Sequence, residues 1–281
     1  MILLADSGST KCAWKAIGSN VELPTLYTTG INPFFRTTDS IYEELLMDLY
    51  PATGVQIEKI YFYGSGIVNE EKANIIRLAL QRLYPMATIE LYSDVVAASR
   101  SLFGSGEGIA CIVGTGSNAC LYDGQKVVLG ISPLGFILGD EGSGAVMGRK
   151  LLGDYFKKVM PEPLRLKFED KYHLTWEEAL QRVYKTEKPN QFLASFVPFL
   201  SDEISTTYAK QLVQNSMIEF FERNVVKIPD YKSFSIGFVG SVAFHFKLIL
   251  QEVCEKYQLN CLAVLQEPMD GLVKYHLNNN F

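Results

Sequence analysis

The chain has 281 residues, of which 48% are hydrophobic and 20% are charged, a composition typical of a globular protein rather than a disordered one. A net charge of −5 excludes the extensive basic surface with which many proteins bind nucleic acid or anionic membranes. No stretch approaches the roughly 18 apolar residues of a membrane span, and the apolar start MILLA meets Asp6 too early for a signal peptide.

The predicted elements of the first hundred residues begin with strands. A buried strand, MILLAD, ends at Asp6 and is followed by four small residues. KCAWKAI resumes as its hairpin partner, and ELPTLYTTG is a candidate third strand. A helix is predicted in DSIYEELLMDLY, with Asp39 or Ser40 as N-cap. The remaining elements are the strand IEKIYFYGSG, the helix NEEKANIIRLALQRLYP ended by Pro85, the strand ATIELYSD ended by Asp94, and the helix VVAASRSLF.

After GSGEG (104–108) the same order of elements begins again. GIACIVGTGS and NACLYDGQKVVLGI predict a strand, a glycine-rich turn and a hairpin with Asp123-Gly124 at its tip. The later elements are a loop that becomes a helix in GDEGSGAVMGRKLLGDYFKKV, a helical region broken at Pro189 and Pro198, a strand leading through Gly-Ser into a helix in FSIGFVGSVAFHF, the strand QLNCLAVLQ and the helix DGLVKYHLN.

This repetition predicts two similar α/β domains with mixed sheets and a cleft between them. The expected domains are residues 1–105 and 106–267. The second has a helical insertion at about 160–230, and the C-terminal helix 268–281 is expected to join the first. The glycines at 104–108 are suited to a hinge on which the two halves close.

The two small-residue turns have a shared chemical interpretation. Small residues after a strand let backbone N–H groups approach a phosphate, and hydroxyl groups add further donors. A single turn of this kind is equally consistent with an ordinary tight hairpin. Two of them at matching positions favour a polyphosphate site. Asp6 fits a magnesium site beside it, because Mg²⁺ prefers a few carboxylates and retained waters.

Three motifs carry a family resemblance. DSGSTKCAW, GTGSNACL and GFVGSV resemble, in this order, the two phosphate motifs and the adenosine motif of the superfamily of sugar kinases, heat-shock chaperones and actin. GINPF (30–34), SD (93–94) and PLGFILGDEGSG (133–144) are similar to the N-acetylglucosamine kinase branch, which is grouped with ATPase activators of acyl-CoA reductases and dehydratases. The resemblance covers nearly the whole chain, except that no motif matches in 160–230.

The resemblance implies two ribonuclease H-like domains, ATP and Mg²⁺ as cofactors, and transfer of phosphate to O6 of N-acetylglucosamine. It also implies a homodimer. Asp94 would be the catalytic base, and the other sugar-binding residues would be Asn32, Gly135, Asp140 and Glu141. Asp6 would serve magnesium. The nucleotide-binding residues would be Ser7, Gly8, Ser9, Thr10 and Lys11 in the first loop, Gly114, Thr115, Gly116 and Ser117 in the second, and Gly240 and Ser241 beside the adenosine.

Several of these residues also have a structural interpretation. Asp94 could cap the helix that follows it, and Asp140 and Glu141 could be acids in the first turn of a helix. Asn32 before Pro33 is a common turn dipeptide. The three histidines, His173, His245 and His276, have no supporting neighbours in sequence and are assigned to the surface or the core.

Two other functions are compatible with the motifs. An ATPase activator would carry an iron–sulfur cluster on paired cysteines; Cys111 lies close to Gly114, but no cysteine occurs between Cys120 and Cys254. A nucleotide-binding regulator without turnover is the second alternative, and the three intact carboxylates argue against it. The five cysteines form no CxxC pair, which indicates a reduced, cytoplasmic location.

Overall fold

The structure, a computed structural model, describes residues 1–8, 10–18, 23–50 and 56–280. The chain divides into two compact units. The first comprises Met1–Gly106, the short segment Gly124–Lys126 and the C-terminal segment from Pro268, and the second comprises Glu107–Asp123 and Val127–Glu267. Each unit contains a five-stranded mixed sheet, which confirms the predicted α/β class.

The sheet of the first unit has the strand order β3-β2-β1-β4-β5. β1, β2 and β3 are antiparallel neighbours, whereas β1, β4 and β5 run parallel. The carboxyl ends of these three parallel strands therefore lie at one edge of the sheet. The strands are β1 (Ile2–Ser7), β2 (Lys11–Ile17), β3 (Leu26–Thr29), β4 (Lys59–Gly64) and β5 (Thr88–Ser93), and the helices are α1 (Thr38–Asp48), α2 (Glu70–Leu83), α3 (Asp94–Phe103) and the C-terminal α13 (Met269–Asn280).

Both faces of this sheet are covered, which explains why β1 is an uninterrupted apolar run. Leu3 and Ala5 point to the core that α1 and α2 cover. Ile2 and Leu4 point to the opposite core, which α3 and α13 cover. Trp14 is fully buried against Phe62, so it packs the sheet as expected.

The N-cap predicted for α1 was wrong by a few residues. Thr37 is the cap: its hydroxyl accepts the Ser40 N–H, and the Ser40 hydroxyl accepts the Thr37 N–H, forming a capping box. Asp39 lies inside the first turn and pairs with Arg82 of α2 at 2.7 Å. A residue already in helical conformation cannot take the extended backbone of an N-cap.

The sheet of the second unit has the order β10-β9-β6-β7-β8 and repeats the mixed pattern of the first. Pro189 and Pro198 stand in the first turns of helices, where a missing N–H costs nothing. The strands are β6 (Gly108–Val113), β7 (Ser117–Tyr122), β8 (Val127–Gly130), β9 (Ile236–Val239) and β10 (Cys261–Leu265). The helices are α4 (Gly135–Leu138), α5 (Gly144–Phe156), α6 (Glu162–Tyr172), α7 (Trp176–Tyr184), α8 (Pro189–Ala194), α9 (Val197–Asp202), α10 (Thr207–Arg223), α11 (Ser241–His245) and α12 (Lys247–Lys256).

Two glycines of α5 provide a matched test of helix packing. A Cβ on Gly148 would come much closer than 3.0 Å to the Leu193 carbonyl oxygen, whereas a Cβ on Gly153 would have no atom within 4 Å. We expect Gly148→Ala to lower the free energy of unfolding by about 3 kcal/mol, because backbone must move to make room. Gly153→Ala should raise it by roughly 0.5–1 kcal/mol through helix propensity. Urea denaturation of both variants measures the difference, and equal stabilities would contradict this packing.

Among the described helices, none is both long enough and apolar enough to cross a bilayer.

Candidate functional site

The carboxyl edge of the first sheet gathers three loops. Ser7, Gly64 and Ser93 lie side by side in register at the ends of β1, β4 and β5. Adjacent strands are about 4.8 Å apart, so the axes of β1 and β5 are separated by roughly 10 Å. This spacing places Asp6, one residue before the edge, near Asp94, one residue after it.

Asp94 is the first residue of α3. The cap position belongs to Ser93, which makes no side-chain cap bond, so the N-cap interpretation of Asp94 was wrong. Its carboxylate instead accepts the N–H of Val95 at 2.9 Å. Burial raises the pKa of the Asp94 carboxyl above its usual range, although these backbone donors oppose the shift. A half-buried acid with a raised pKa is a typical proton acceptor.

Asp6 lies on the face of the sheet that α3 covers. Side chains alternate along β1, so Asp6 points to the same side as Ile2 and Leu4, whose core also contains Ala97 of α3. Asp6 and Asp94 therefore share one face and one edge. In the loop after Asp6, the Gly8 N–H donates to the Lys11 carbonyl at 3.0 Å.

The other residues of the predicted first phosphate loop differ in their solvent exposure. Ser7 is buried, and its hydroxyl accepts the Ile31 N–H at 2.8 Å and donates to the Ile31 carbonyl at 3.1 Å. Thr10 and Lys11 are exposed, with the Lys11 ammonium 4.8 Å from the centre of the Tyr27 ring. Ser9 lies outside the described residues.

Asn32 lies beside the loop that follows β4. Its Oδ1 accepts the Phe34 N–H at 2.9 Å, as in an Asx turn. A Cβ placed on Gly66 would come within 3.0 Å of this oxygen, and Gly66 has a φ of +82° that favours glycine. The turn interpretation of Asn32 is therefore confirmed, and its contact with a sugar stays a prediction.

Ser65 is a candidate that the sequence motifs did not single out. Its N–H donates to the Ser7 carbonyl at 3.2 Å, which holds it against β1. Its hydroxyl is buried and has no hydrogen-bond partner within the described residues. Buried hydroxyl groups are nearly always bonded, so this hydroxyl is suited to bind a ligand at the edge of the sheet. The available signal was the Gly-Ser-Gly that ends the strand.

The predicted second phosphate loop joins β6 to β7 and is held by the start of α5. The N–H of Gly114 donates to the Gly116 carbonyl at 2.9 Å, which closes the turn. Gly144 and Ala145 donate their N–H groups to the carbonyls of Gly114 and Thr115 at 2.8 and 3.1 Å. The helix terminus therefore orients the loop, because these donors have no partner inside the helix.

Gly240 joins the predicted adenosine motif to this loop. It has a φ of +130°, and a Cβ would fall far inside 3.0 Å of the Val113 carbonyl oxygen and 3.2 Å from the Gly114 nitrogen. Only glycine permits this approach of the two backbones. Ser241 begins α11 and is exposed. The structure thus brings together Gly240 and Gly114, which the sequence separates by more than a hundred residues.

Asp140 lies against the second phosphate loop. Its Oδ1 accepts the Ser117 N–H at 3.3 Å, and a Cβ on Gly116 would stand 3.1 Å from Oδ2. The Asp140 backbone is left-handed, with a φ of +53°, which is uncommon outside glycine and indicates a shaped loop. Burial raises the pKa of its carboxyl. α5 begins only at Gly144, so Asp140 and Glu141 lie in a loop and the alternative that placed them in the first turn of a helix is excluded.

Both the side chain and the carbonyl of Glu141 are bonded within the second unit. Its carboxylate accepts the Asn224 side-chain N–H at 3.3 Å and lies 3.5 Å from the Arg223 guanidinium. The Glu141 carbonyl accepts the Ser117 hydroxyl at 2.7 Å. These bonds fix the loop that carries Asp140. Gly135, the other predicted sugar contact of this unit, is exposed at the start of α4.

A cavity of about 500 Å³ opens beside Asp140 in the second unit. Its walls are polar where Ser117 and Lys227 contribute and apolar where Ile131 and Leu134 contribute. This volume lies in the range of pockets for small organic molecules.

Comparison with known proteins finds no matching family model and no matching curated protein. Solved structures do match. One named "putative N-acetylglucosamine kinase", from Porphyromonas gingivalis, is 43% identical with a TM-score of 0.95, and 100% of each chain is covered. A second of that name, from Chromobacterium violaceum, has 14% identity and a TM-score of 0.73 over 98% of each chain.

A ROK hexokinase from Thermus thermophilus has 14% identity and a TM-score of 0.52, covering 94% of this chain and 92% of its own. At such identities the second and third structures show the fold alone, which is that of two-domain kinases. The match at 43% identity over the whole chain shows the family as well as the fold. The chain therefore belongs to the N-acetylglucosamine kinase-like family within the actin and hexokinase ATPase superfamily.

Proposed function

We propose that this protein is an ATP-dependent sugar kinase whose substrate is an amino sugar, N-acetylglucosamine, phosphorylated at O6. The observation that carries the proposal is Asp94, a half-buried carboxylate with a raised pKa at the carboxyl edge of the first sheet, where Ser65 has a buried hydroxyl that no described residue bonds. Membership of the family supports it. Carboxylate, amide and hydroxyl groups are the partners that sugar hydroxyls require.

In the proposed reaction, Asp94 accepts the proton of the sugar hydroxyl as its oxygen attacks the γ-phosphorus. Asn32 and Ser65 orient the sugar by hydrogen bonds. The loop from Gly114 to Ser117 offers the phosphates the Thr115 hydroxyl and the N–H groups of Thr115 and Gly116, since the Gly114 and Ser117 donors bond within the protein. Phosphoryl transfer needs little beyond such positioning, neutralisation of charge and removal of one proton.

The residues at the end of β1 fit a magnesium ion. Asp6 is a carboxylate at a strand end, and the small residues Ser7 and Gly8 beside it leave room for the waters that magnesium retains. When bound, Mg²⁺ would neutralise charge on the nucleotide phosphates. We assign Asp6 to hold it through water.

A panel of sugars tests the proposal. We expect ADP release with ATP and Mg²⁺ to depend on N-acetylglucosamine, and mass spectrometry with ³¹P NMR to identify a 6-phosphate product. Glucosamine, N-acetylmuramic acid and an anhydro-sugar serve as comparisons, since one missing contact costs roughly 10–200-fold in kcat/KM. A preference for one of these would correct the substrate. ADP release that no sugar increases would overturn the kinase assignment.

The family resemblance extends the proposal to a cytoplasmic homodimer. Analytical ultracentrifugation at micromolar protein tests the oligomeric part. A single species with the mass of one 31.5 kDa chain would contradict it.

A further inference from the structure

A second cavity, of about 280 Å³, lies in the first unit between the last turn of α3 and the C-terminal helix α13. Asp94 begins α3 and Arg100 lines this cavity. At 1.5 Å per residue, the far end of α3 is about 14 Å from Asp94. We infer that this cavity, named here the α3–α13 pocket, binds a small phosphorylated anion: inorganic phosphate or a compact phosphomonoester.

The lining of the α3–α13 pocket has two cations and no acid. Arg100 and Lys274 contribute the charges, and Ser101, Asn278 and Asn279 add neutral side chains that can hydrogen-bond. Lys274 makes no ion pair within the described residues, and Asp270, one turn earlier on α13, does not pair with it. Two positive charges without a direct ion pair among the described residues raise the local concentration of anions at this concavity.

Aromatic residues, rather than a carboxylate, fix the position of the Arg100 guanidinium. One of its amino groups donates to the Tyr63 hydroxyl at 2.7 Å, and the guanidinium lies 4.1 Å from the Tyr92 ring centre and 4.9 Å from that of Tyr275. In the described part of the chain no carboxylate comes within 4.0 Å of it. The acid of this region, Glu90, pairs with Lys59 at 2.7 Å. The Arg100 charge is therefore fixed in position without a direct ion pair, although Glu90 interacts with it electrostatically.

The two helices that form the pocket are closely packed. A Cβ on Gly271 would fall far inside 3.0 Å of the Ser101 carbonyl oxygen, so α13 crosses α3 at the closest approach that glycine allows. The buried His276 of α13 lies 2.8 Å from the Tyr63 hydroxyl, which also receives the Arg100 bond. A preformed cationic site binds with little loss of side-chain entropy.

The geometry selects phosphate over larger anions. An arginine presents planar, paired donors that match phosphate oxygens, while a lysine contributes a point charge. The volume of about 280 Å³ is just below the usual range for drug-sized ligands, which suits a phosphate group with a small organic part.

Calorimetric titration of inorganic phosphate into the full chain tests this inference without ATP or sugar. We expect Lys274→Gln to weaken phosphate binding at least tenfold, because a charge-assisted bond is lost. Lys157→Gln, an exposed lysine of the second unit, is the matched control and should leave binding unchanged. Glucose 6-phosphate beside glucose distinguishes a phosphomonoester from free phosphate as the better ligand.

A third variant keeps the inference separate from the kinase proposal. Thr115→Val alters the second phosphate loop, where phosphate could also bind. Weakening by Thr115→Val and not by Lys274→Gln would place the phosphate at that loop and overturn the inference, while leaving the kinase proposal intact. If Lys274 only complements the carbonyl end of α3, Lys274→Gln will lower the melting temperature and phosphate will bind equally to both proteins, which also overturns it.

Discussion

Replacing Asp94 by asparagine should lower kcat by about 10²–10⁴-fold, the usual contribution of a general base. The amide still accepts one hydrogen bond from the sugar hydroxyl and from the Val95 N–H, so sugar affinity should change little. Because only the proton acceptor is lost, the effect should fall on kcat rather than on KM. A coupled ADP assay with calorimetric titration of N-acetylglucosamine measures both quantities.

The pH dependence follows from the direction of the pKa shift. Burial raises the Asp94 pKa, so kcat should fall on the acid side at a pH higher than for an exposed aspartate. Because the pKa of Asp94 is higher in the folded than in the unfolded chain, ionisation of its carboxyl lowers the free energy of unfolding. This loss is absent at low pH and develops as the pH rises from the unfolded-state pKa to the folded-state pKa. Asp94→Asn should therefore keep or slightly raise the melting temperature at neutral pH.

Asp170→Asn is a suitable control for this experiment, because Asp170 is an exposed aspartate of α6. It should leave turnover and melting temperature unchanged. A destabilised but fully active Asp94→Asn protein would mean that Asp94 serves only the start of α3, and the proposed mechanism would lose its base.

Replacing Asp6 by asparagine should remove most turnover at low magnesium. The substitution keeps the size of the side chain and removes the charge that holds a hydrated Mg²⁺ beside the nucleotide phosphates. We expect kcat to fall roughly 100-fold, in line with the loss of a charge-stabilising group, and the magnesium concentration for half-maximal rate to rise. Initial rates at fixed ATP and varied MgCl₂ measure both effects.

The control for Asp6 is Asp48→Asn in the last turn of α1, away from the carboxyl edge of the sheet. Its magnesium dependence should match that of the wild type. Circular dichroism before and after heating shows whether Asp6→Asn has folded. If a folded Asp6→Asn protein shows wild-type rates at low magnesium, Asp6 is a structural residue of the first turn.

Local patterns were sufficient to predict most elements. The apolar run before Asp6, the small residues after it and the strand KCAWKAI predicted β1, its turn and β2, because strand burial and turn chemistry depend on neighbours in sequence. The repetition of this pattern after residue 108 indicated two related units and, with three ordered motifs, the superfamily. These features depend on interactions between residues that are close together in the sequence.

Contacts between distant segments required the tertiary structure. The approach of Gly240 to Gly114 depends on the pairing of β6 with β9, strands far apart in the chain. The burial of the Ser65 hydroxyl and the bond that the Ser117 N–H donates to the Asp140 carboxylate are likewise products of packing. The α3–α13 pocket exists only because the last helix returns to the first unit. Sequence periodicity determines which face of an element is apolar. The strand order and the chain crossovers determine which residues this face contacts.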